Sequence, residues 1–103
     1  MIHVVATITL QPNTRPAFLE VFRWLTPIVR TEAGCIEYQP TIDVPTTIAV
    51  QEGPRPDVVT VIEKWESVEA LYAHSAAPHM TEYRAKVKDF VVSVKLQVTE
   101  AAF

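Results

Sequence analysis

The stretch "IEKWESVEALYAHSAAPHM", residues 62–80, decides the fold because it joins the end of a strand to a helix and a helix break. It continues the run "VVTVIEKW" (58–65), whose β-branched and aromatic residues favour a strand. Ser67 is a preferred helix-capping residue and precedes "VEALYAH", which predicts a helix. Pro78 ends that helix, and "HMTEYRAKVKD" (79–89) predicts another. The segment therefore predicts one strand followed by a pair of helices.

The N-terminal part of the chain predicts a strand and a long helix. "IHVVATITL" (2–10) favours a strand, and the turn residues of "QPNTRP" close it. Asn13 or Thr14 can cap the following helix, and Pro16 is tolerated in its first turn. Apolar residues then recur at helical spacing, which predicts a buried face made of Phe18, Val21, Phe22, Leu25, Ile28 and Val29.

Proline and glycine punctuate the next part of the chain. Pro27 removes a backbone hydrogen bond and predicts a kink near Arg23, and Gly34 is expected to end the helix in the left-handed region. "CIEYQPTI" (35–42) predicts a second strand. Residues 43–57 contain three prolines and a glycine, which predicts a loop that can act as a mobile cover and holds at most a short edge strand.

The order of the elements predicts the fold class. With "FVVSVKLQV" (90–98) as a last strand, the order is the split βαβ arrangement of an α+β, ferredoxin-like domain with an antiparallel sheet, spanning residues 1–103. Strands 2–10 and 58–65 carry apolar residues at both odd and even positions, which indicates that both sheet faces are buried. The helices can cover only one face, so we expect a homodimer packed sheet against sheet.

Composition excludes several classes of protein. The net charge is −3 and the nine basic residues are scattered, so we expect no nucleic-acid partner. The chain has no apolar run long enough to span a bilayer, and "MIHVVATITL" lacks the features of a secretory signal, so we expect a cytoplasmic protein without a membrane partner. The single cysteine, Cys35, excludes an internal disulfide and is expected to behave as a buried apolar side chain.

Three residues of the opening stretch are candidates for chemistry. Strand alternation places Glu63 and Trp65 on one face, where a carboxylate on an apolar surface is a candidate for proton transfer. The alternative is a Glu63 that reaches water or an arginine at the strand end. His74 follows Leu71 at helical spacing and points towards the same interior, either as a proton acceptor or as a hydrogen-bonded core residue.

The second helix of the pair adds further candidates. His79 follows Pro78 and is expected to cap or start this helix, while Met80, Tyr83 and Val87 share one face. The spacing of the two histidines and the intervening Pro78 argue against a shared metal site. No nucleotide-binding, CxxC or serine-nucleophile motif is present, so we predict an enzyme that works without a cofactor.

Two segments carry a family resemblance. "TEAGCIEY" (31–38), followed by "VIEKWESVEALYAHSAAPHM" (61–80), resembles the antibiotic biosynthesis monooxygenase family, and within it the small bacterial quinol monooxygenases. The resemblance implies a dimeric α+β barrel with a pocket between sheet and helices, and oxidation of a quinol or hydroxyaromatic compound by O₂ without a cofactor. It places Trp65 as a pocket wall and His74 as a residue of the site.

The predicted site therefore has two parts. His74 and Glu63 are the predicted catalytic residues, and the predicted substrate-binding residues are Trp65, His79, Met80 and Tyr83.

Other functions within and outside the family remain open. Haem-degrading relatives carry their axial histidine ten residues after the strand tryptophan, where this chain has Ser75, which argues against haem degradation. An enzyme for a small phosphorylated signalling sugar would need cations, for which Arg84 and Lys86 are the nearby candidates. A non-catalytic stress-response dimer that binds a hydrophobic ligand is the alternative from another class.

Overall fold

The computed structural model describes all residues 1–103 and contains four strands and three helices. The elements are β1 Ile2–Leu10, α1 Arg15–Val29, β2 Cys35–Thr41, β3 Val58–Trp65, α2 Val68–Ala76, α3 Pro78–Val87 and β4 Val91–Thr99. The sheet order is β2-β3-β1-β4, and every neighbouring pair is antiparallel. This confirms the predicted α+β, ferredoxin-like fold. None of the helices has the length and apolar character that a bilayer crossing requires.

The register of the central strands sets the face on which the site lies. In the β1–β3 pair, Val4 lies opposite Glu63 and Ala6 lies opposite Val61. The even residues of β1 and the odd residues of β3 therefore share the face that the helices cover. Cys35, predicted to be buried, is half-buried and packs against this core. The largest fully buried side chains are Trp65, Phe18, Phe22, Leu25, Val4, Val29, Val59 and Val61.

Helix α1 differs from its prediction at both ends. Thr14 occupies the N-cap position, but its hydroxyl donates to the Gln11 carbonyl instead of capping the helix, and Asn13 takes a φ of 66°. The helix continues through Pro27 and ends at Val29, before Gly34. It ends early because Thr31 N–H and Glu32 N–H bond carbonyls three residues back, which forms a tight turn instead of a further helical turn.

Gly34 adopts the predicted left-handed conformation, in the turn before β2 and not at the helix end. Its φ is +82°, and a Cβ atom at this position would lie 2.7 Å from the Cβ of Ala70 in α2. The Gly34 carbonyl also accepts a hydrogen bond of 2.9 Å from the N–H of Glu66. Gly34 is therefore required both by backbone conformation and by the close approach of α2.

The sheet face away from the helices is open in the single chain. Val5 is 41% exposed on that face, and its partner Ile62 is half-buried. The side chains on both sides of β4 are also mostly exposed. The burial of this face that was inferred from the strands is therefore absent in the single chain, and the homodimer stays a prediction.

Residues 42–57 form a loop, as predicted, and the short edge strand that the sequence allowed there is absent. The prolines in this part of the chain remove the donors that a sheet ladder needs. Arg55 anchors the segment through Asp43, with Nε and Nη2 donating to the two carboxylate oxygens over 2.8 and 3.0 Å. Arg15 in α1 donates to the Arg55 carbonyl over 3.1 Å.

Candidate functional site

A cavity of about 380 Å³ lies between the helix-covered face of the sheet and the helices. Twelve of its 17 lining residues are hydrophobic, so the cavity suits an apolar organic ligand. Val94 and Leu96 of β4 line it and are 54% and 51% exposed, which shows that the cavity opens along this strand.

The structure gathers most of the predicted site residues around this cavity. Those that line it are Glu63, His74, Met80 and Tyr83. Trp65 and His79 do not line it, which differs from the roles predicted for them. Trp65 is fully buried and packs beneath His74, with 4.7 Å between the ring centroids, and His79 instead bonds a carboxylate.

Glu63 is a buried carboxyl group, 5% exposed, at the cavity wall. Its Oε1 accepts a hydrogen bond of 2.9 Å from the indole N–H of Trp65. Burial raises the pKa of Glu63 from 4.5 to about 7, the hydrogen bond from Trp65 acts against this rise, and the nearby charge of Glu32 adds to it. Both protonation states of Glu63 are therefore populated near neutral pH.

His74 is 4% exposed and is held by a carboxylate and two aromatic rings. Its Nδ1 lies 2.8 Å from Oε2 of Glu32, and the Tyr38 ring meets it edge-on at 5.5 Å. Burial lowers the pKa of His74, and the bond to Glu32 only partly offsets this. A carboxylate can only accept, so Nδ1 carries the proton, which leaves Nε2 as a basic nitrogen on a ring that lines the cavity.

Glu32 was not predicted as a site residue. It lies in the turn between α1 and β2, so no helical or strand periodicity points to it, although it belongs to the first family-like segment. The same Oε2 that bonds His74 also bonds Nε2 of His79 over 2.7 Å. Ala77, with a ψ of 144°, turns the chain between α2 and α3 so that both histidines reach one carboxylate.

Pro78 therefore does not keep the two histidines apart, contrary to the prediction from their spacing. One donor atom each from Glu32, His74 and His79 lies within 4.8 Å of the other two. Two imidazoles and a carboxylate are a donor set that divalent metals accept. The separations of the carboxylate oxygen from the two ring nitrogens, 2.8 and 2.7 Å, are those of hydrogen bonds.

Aromatic side chains form a second part of the cavity wall. Tyr38 stacks on Phe22 with 6.0 Å between ring centroids, and Tyr83 meets Phe22 edge-on at 5.4 Å. Burial raises the pKa of both tyrosines, so their hydroxyls stay neutral and can donate hydrogen bonds. Tyr38 was not predicted as a site residue.

Two cationic residues lie at the cavity, and only one of them was predicted. Arg84 lines the cavity and donates to the Ser75 carbonyl over 2.8 Å, and Lys88 lines it as well. Lys86 instead lies over the Trp24 ring, 4.9 Å from its centroid, and is not part of the cavity.

A ferredoxin-like sheet with helices on one face and a mostly apolar cavity between the two layers defines an α+β protein with a cavity of the size of a small-molecule site. The antibiotic biosynthesis monooxygenase family model matches residues 1–86. The "Probable quinol monooxygenase YgiN" of Escherichia coli is 34% identical over 102 residues, which cover 97% of each chain. This chain therefore belongs to the antibiotic biosynthesis monooxygenase family, which supports a monooxygenase activity.

Solved structures share the fold. The crystal structure of an antibiotic biosynthesis monooxygenase matches with a TM-score of 0.82 and 23% identity, over 100% of both chains. PA3566 from Pseudomonas aeruginosa matches with a TM-score of 0.78 and 24% identity, over 98% of this chain and 94% of that one.

Proposed function

We propose that this protein is a monooxygenase that oxidises a quinol or another hydroxyaromatic compound with O₂, without a flavin or a metal. The observation that carries the proposal is the cavity wall, which is apolar except for a few groups that include a neutral imidazole and a carboxyl group of pKa about 7. At about 380 Å³ the cavity has the size of a small-molecule site.

The first step is removal of a proton from the substrate hydroxyl. Nε2 of His74 is the proposed acceptor because it has no protein partner and belongs to a neutral ring at the cavity. The O–H bond of the substrate breaks and an N–H bond forms, which gives a phenolate and an imidazolium. The phenolate is much easier to oxidise than the phenol. Glu63 in its ionised form is the alternative acceptor.

The second step is the reaction of the phenolate with O₂. One electron passes to O₂, and the resulting radical pair combines into a peroxide at a ring carbon, which takes the proton back from the His74 imidazolium and becomes a hydroperoxide. The O–O bond and the C–H bond of that carbon then break and water leaves with one oxygen atom, so that a quinol and O₂ give a hydroxyquinone and water with no further reductant. Glu63 in its protonated form is suited to donate the proton that the departing oxygen needs.

The surrounding wall orients the substrate and limits water. The aromatic pair of Phe22 and Tyr83 offers an edge-to-face surface for a flat ring system. Trp65 acts from behind the wall, because its ring supports His74 and its N–H holds Glu63. Holding the hydroxyl, the base and the ring in one geometry is the main contribution expected of a protein without a cofactor.

Oxygen uptake with a chemically reduced naphthoquinone tests the proposal. The protein should consume one O₂ per quinol, and ¹⁸O₂ should place one labelled atom in the product. Quinol oxidation that yields hydrogen peroxide and an unlabelled quinone would contradict a monooxygenase. Activity should survive dialysis against a chelator, and its loss with recovery on adding a metal would contradict the cofactor-free reaction.

The same experiment separates the two alternative functions. A non-catalytic dimer would bind the reduced naphthoquinone under anaerobic conditions and leave its oxidation rate unchanged when oxygen is admitted. A phosphorylated sugar has less support, because Arg84 and Lys88 are the cationic residues at the cavity and most of its wall is apolar. Binding of a sugar phosphate to the protein, without binding of a naphthoquinone, would favour that alternative.

The proposed active unit is a homodimer packed sheet against sheet. Val5 and Ile62 lie on the open face, where a second subunit would cover them. These two apolar side chains would otherwise stay in contact with water.

A further inference from the structure

One carboxylate oxygen joins three separate elements of the fold. Oε2 of Glu32, in the turn after α1, bonds Nδ1 of His74 in α2 over 2.8 Å and Nε2 of His79 in α3 over 2.7 Å. Side-chain exposure is 13% for Glu32, 5% for His74 and 19% for His79. The cluster therefore runs from the cavity wall towards the surface.

Glu32 is a largely buried carboxylate whose ionic partners are two histidines. A largely buried carboxylate is ordinarily balanced by an arginine or a lysine, because an unpaired charge is expensive away from water. No lysine or arginine lies within salt-bridge distance of Glu32, and its ionic partners are the two imidazoles. The negative charge of Glu32 is thus available to balance a positive charge that arises on His74.

We propose that Glu32 is the positioning residue of the reaction: it fixes the ring of His74 with Nε2 unprotonated and balances the positive charge that this ring acquires, while His79 holds Glu32 in place. This inference rests on the proposed function for its kinetic consequence. Its structural part, the control of His74 by Glu32, does not.

Every proton in this step has a defined donor and acceptor. The substrate O–H bond breaks, the Nε2–H bond of His74 forms, and the Nδ1–H bond stays intact and directed at Glu32. Glu32 remains a carboxylate throughout, so the pair changes from neutral imidazole and carboxylate to imidazolium and carboxylate. An ion pair in a water-poor site is stronger than one in water, so the charge of Glu32 lowers the barrier to proton removal.

His79 has a different part in the cluster. The Nε2 atom of His79 bonds the same carboxylate oxygen as His74 does, so His79 helps to hold that oxygen in its position beside His74. Its loss should leave the bond between Glu32 and His74 in place but less well oriented. A smaller kinetic effect than that of a change at Glu32 is therefore expected.

A substrate-free measurement tests the structural part. Nitrogen-15 chemical shifts of the His74 ring should show the Nδ1–H form in the wild type. Glu32→Gln keeps an acceptor oxygen and should preserve that form, whereas Glu32→Ala should release the ring to the Nε2–H form that free histidine favours. A His74 ring that keeps the Nδ1–H form in Glu32→Ala would overturn the inference.

Turnover tests the kinetic part. Glu32→Gln should lower kcat for quinol oxidation by on the order of 10²-fold while KM stays within about 3-fold, because only the charge balance in the transition state is lost. His79→Gln should lower kcat less. Glu52→Gln, which removes an exposed carboxylate from the 43–57 loop, is the matched control and should leave both constants unchanged.

The outcomes separate the two proposals. A wild type that does not oxidise quinols contradicts the proposed function, and the nitrogen shifts then decide the inference alone. An active wild type with an equally active Glu32→Gln overturns the inference and leaves the function standing. Purified protein that carries one bound divalent metal per chain, lost in His79→Gln together with activity, would replace the positioning role by a metal site.

Discussion

The indole N–H of Trp65 donates a hydrogen bond of 2.9 Å to the carboxyl group of Glu63, two residues before it on the same face of β3. Strand alternation makes this contact available, because residues of one parity share a face. The bond satisfies a buried donor and favours the ionised carboxylate, while burial favours the protonated form. The balance holds the pKa of Glu63 at about 7, in the range where a group can both accept and donate protons.

The first prediction concerns stability and pH. A pKa raised from 4.5 to about 7 corresponds to roughly 3 kcal/mol of unfavourable free energy in the folded state when Glu63 is ionised in both states, above pH 7. As the pH falls from 7 to 4.5, the folded state takes up the proton first, so the contribution of Glu63 to the free energy of unfolding rises.

Glu63→Gln isolates this contribution. The variant keeps an oxygen that accepts from Trp65 and carries no charge, so it should be more stable than the wild type at pH 8 and lose that advantage by pH 5. Urea unfolding at both values measures the difference. His74 has the opposite effect on stability, because its lowered pKa reduces the free energy of unfolding below pH 6.5. His74 is present in both proteins, so its effect cancels in the difference between them. A difference that does not change with pH would show that Glu63 has an ordinary pKa.

The second prediction separates the two contributions of Trp65. Trp65→Phe keeps most of the packing but removes the donor to Glu63, so the pKa of Glu63 should rise further and quinol oxidation should shift to higher pH. Trp65→Ala should lower the free energy of unfolding by roughly 3 to 5 kcal/mol, because it deletes a fully buried large aromatic ring. Equal pH profiles in Trp65→Phe and the wild type would show that the hydrogen bond from Trp65 does not affect the pH dependence of the reaction.

The third prediction concerns Gly34. Gly34→Ala should lower the free energy of unfolding by about 2 to 4 kcal/mol, since it combines a left-handed backbone with a Cβ contact of 2.7 Å to Ala70. Gly53→Ala is the matched control, because nothing lies within 4 Å of its added Cβ, and it should change stability by less than about 1 kcal/mol. Denaturant unfolding measures the free energy of unfolding of both variants. Equal losses in the two variants would contradict the close approach of α2 to the turn before β2.

The fourth prediction concerns assembly. The open sheet face, with Val5 41% exposed and Ile62 half-buried, should be covered in a homodimer. Sedimentation velocity at micromolar concentration should therefore give twice the chain mass of 11.6 kDa. Val5→Lys should shift the protein towards a single chain without loss of its circular dichroism signal. A wild type that sediments as a single chain would contradict the sheet-against-sheet arrangement.

The sequence was sufficient for the fold because its periodicities are strong. β-Branched runs predict four strands, and all four begin and end within one residue of the predicted ends. The ends of α1 were harder to predict, because the turn after Val29 depends on backbone hydrogen bonds that leave no trace in the hydrophobic pattern. The 43–57 loop was predicted as a loop, but its anchor between Asp43 and Arg55 joins residues twelve apart in a segment without periodicity.

The site was predictable only where it lies on regular elements. Glu63 and His74 follow from the alternation of β3 and the apolar face of α2. Glu32 does not, because it comes from a turn and reaches His74 across 42 residues of sequence. The two histidines were predicted to be separated by Pro78. That prediction failed because sequence spacing cannot show how two consecutive helices turn towards a third element.

The central claim is that His74 accepts the substrate proton. The measurement that tests it most directly is kcat for oxygen consumption with a reduced naphthoquinone, compared between wild type and His74→Ala, with melting temperature and sedimentation measured on the same samples. We expect a kcat lowered by about 10²- to 10⁴-fold in a folded protein of unchanged oligomeric state. Full turnover in His74→Ala with a lowered melting temperature would contradict it, would show that His74 is a core residue, and would leave Glu63 as the proton acceptor.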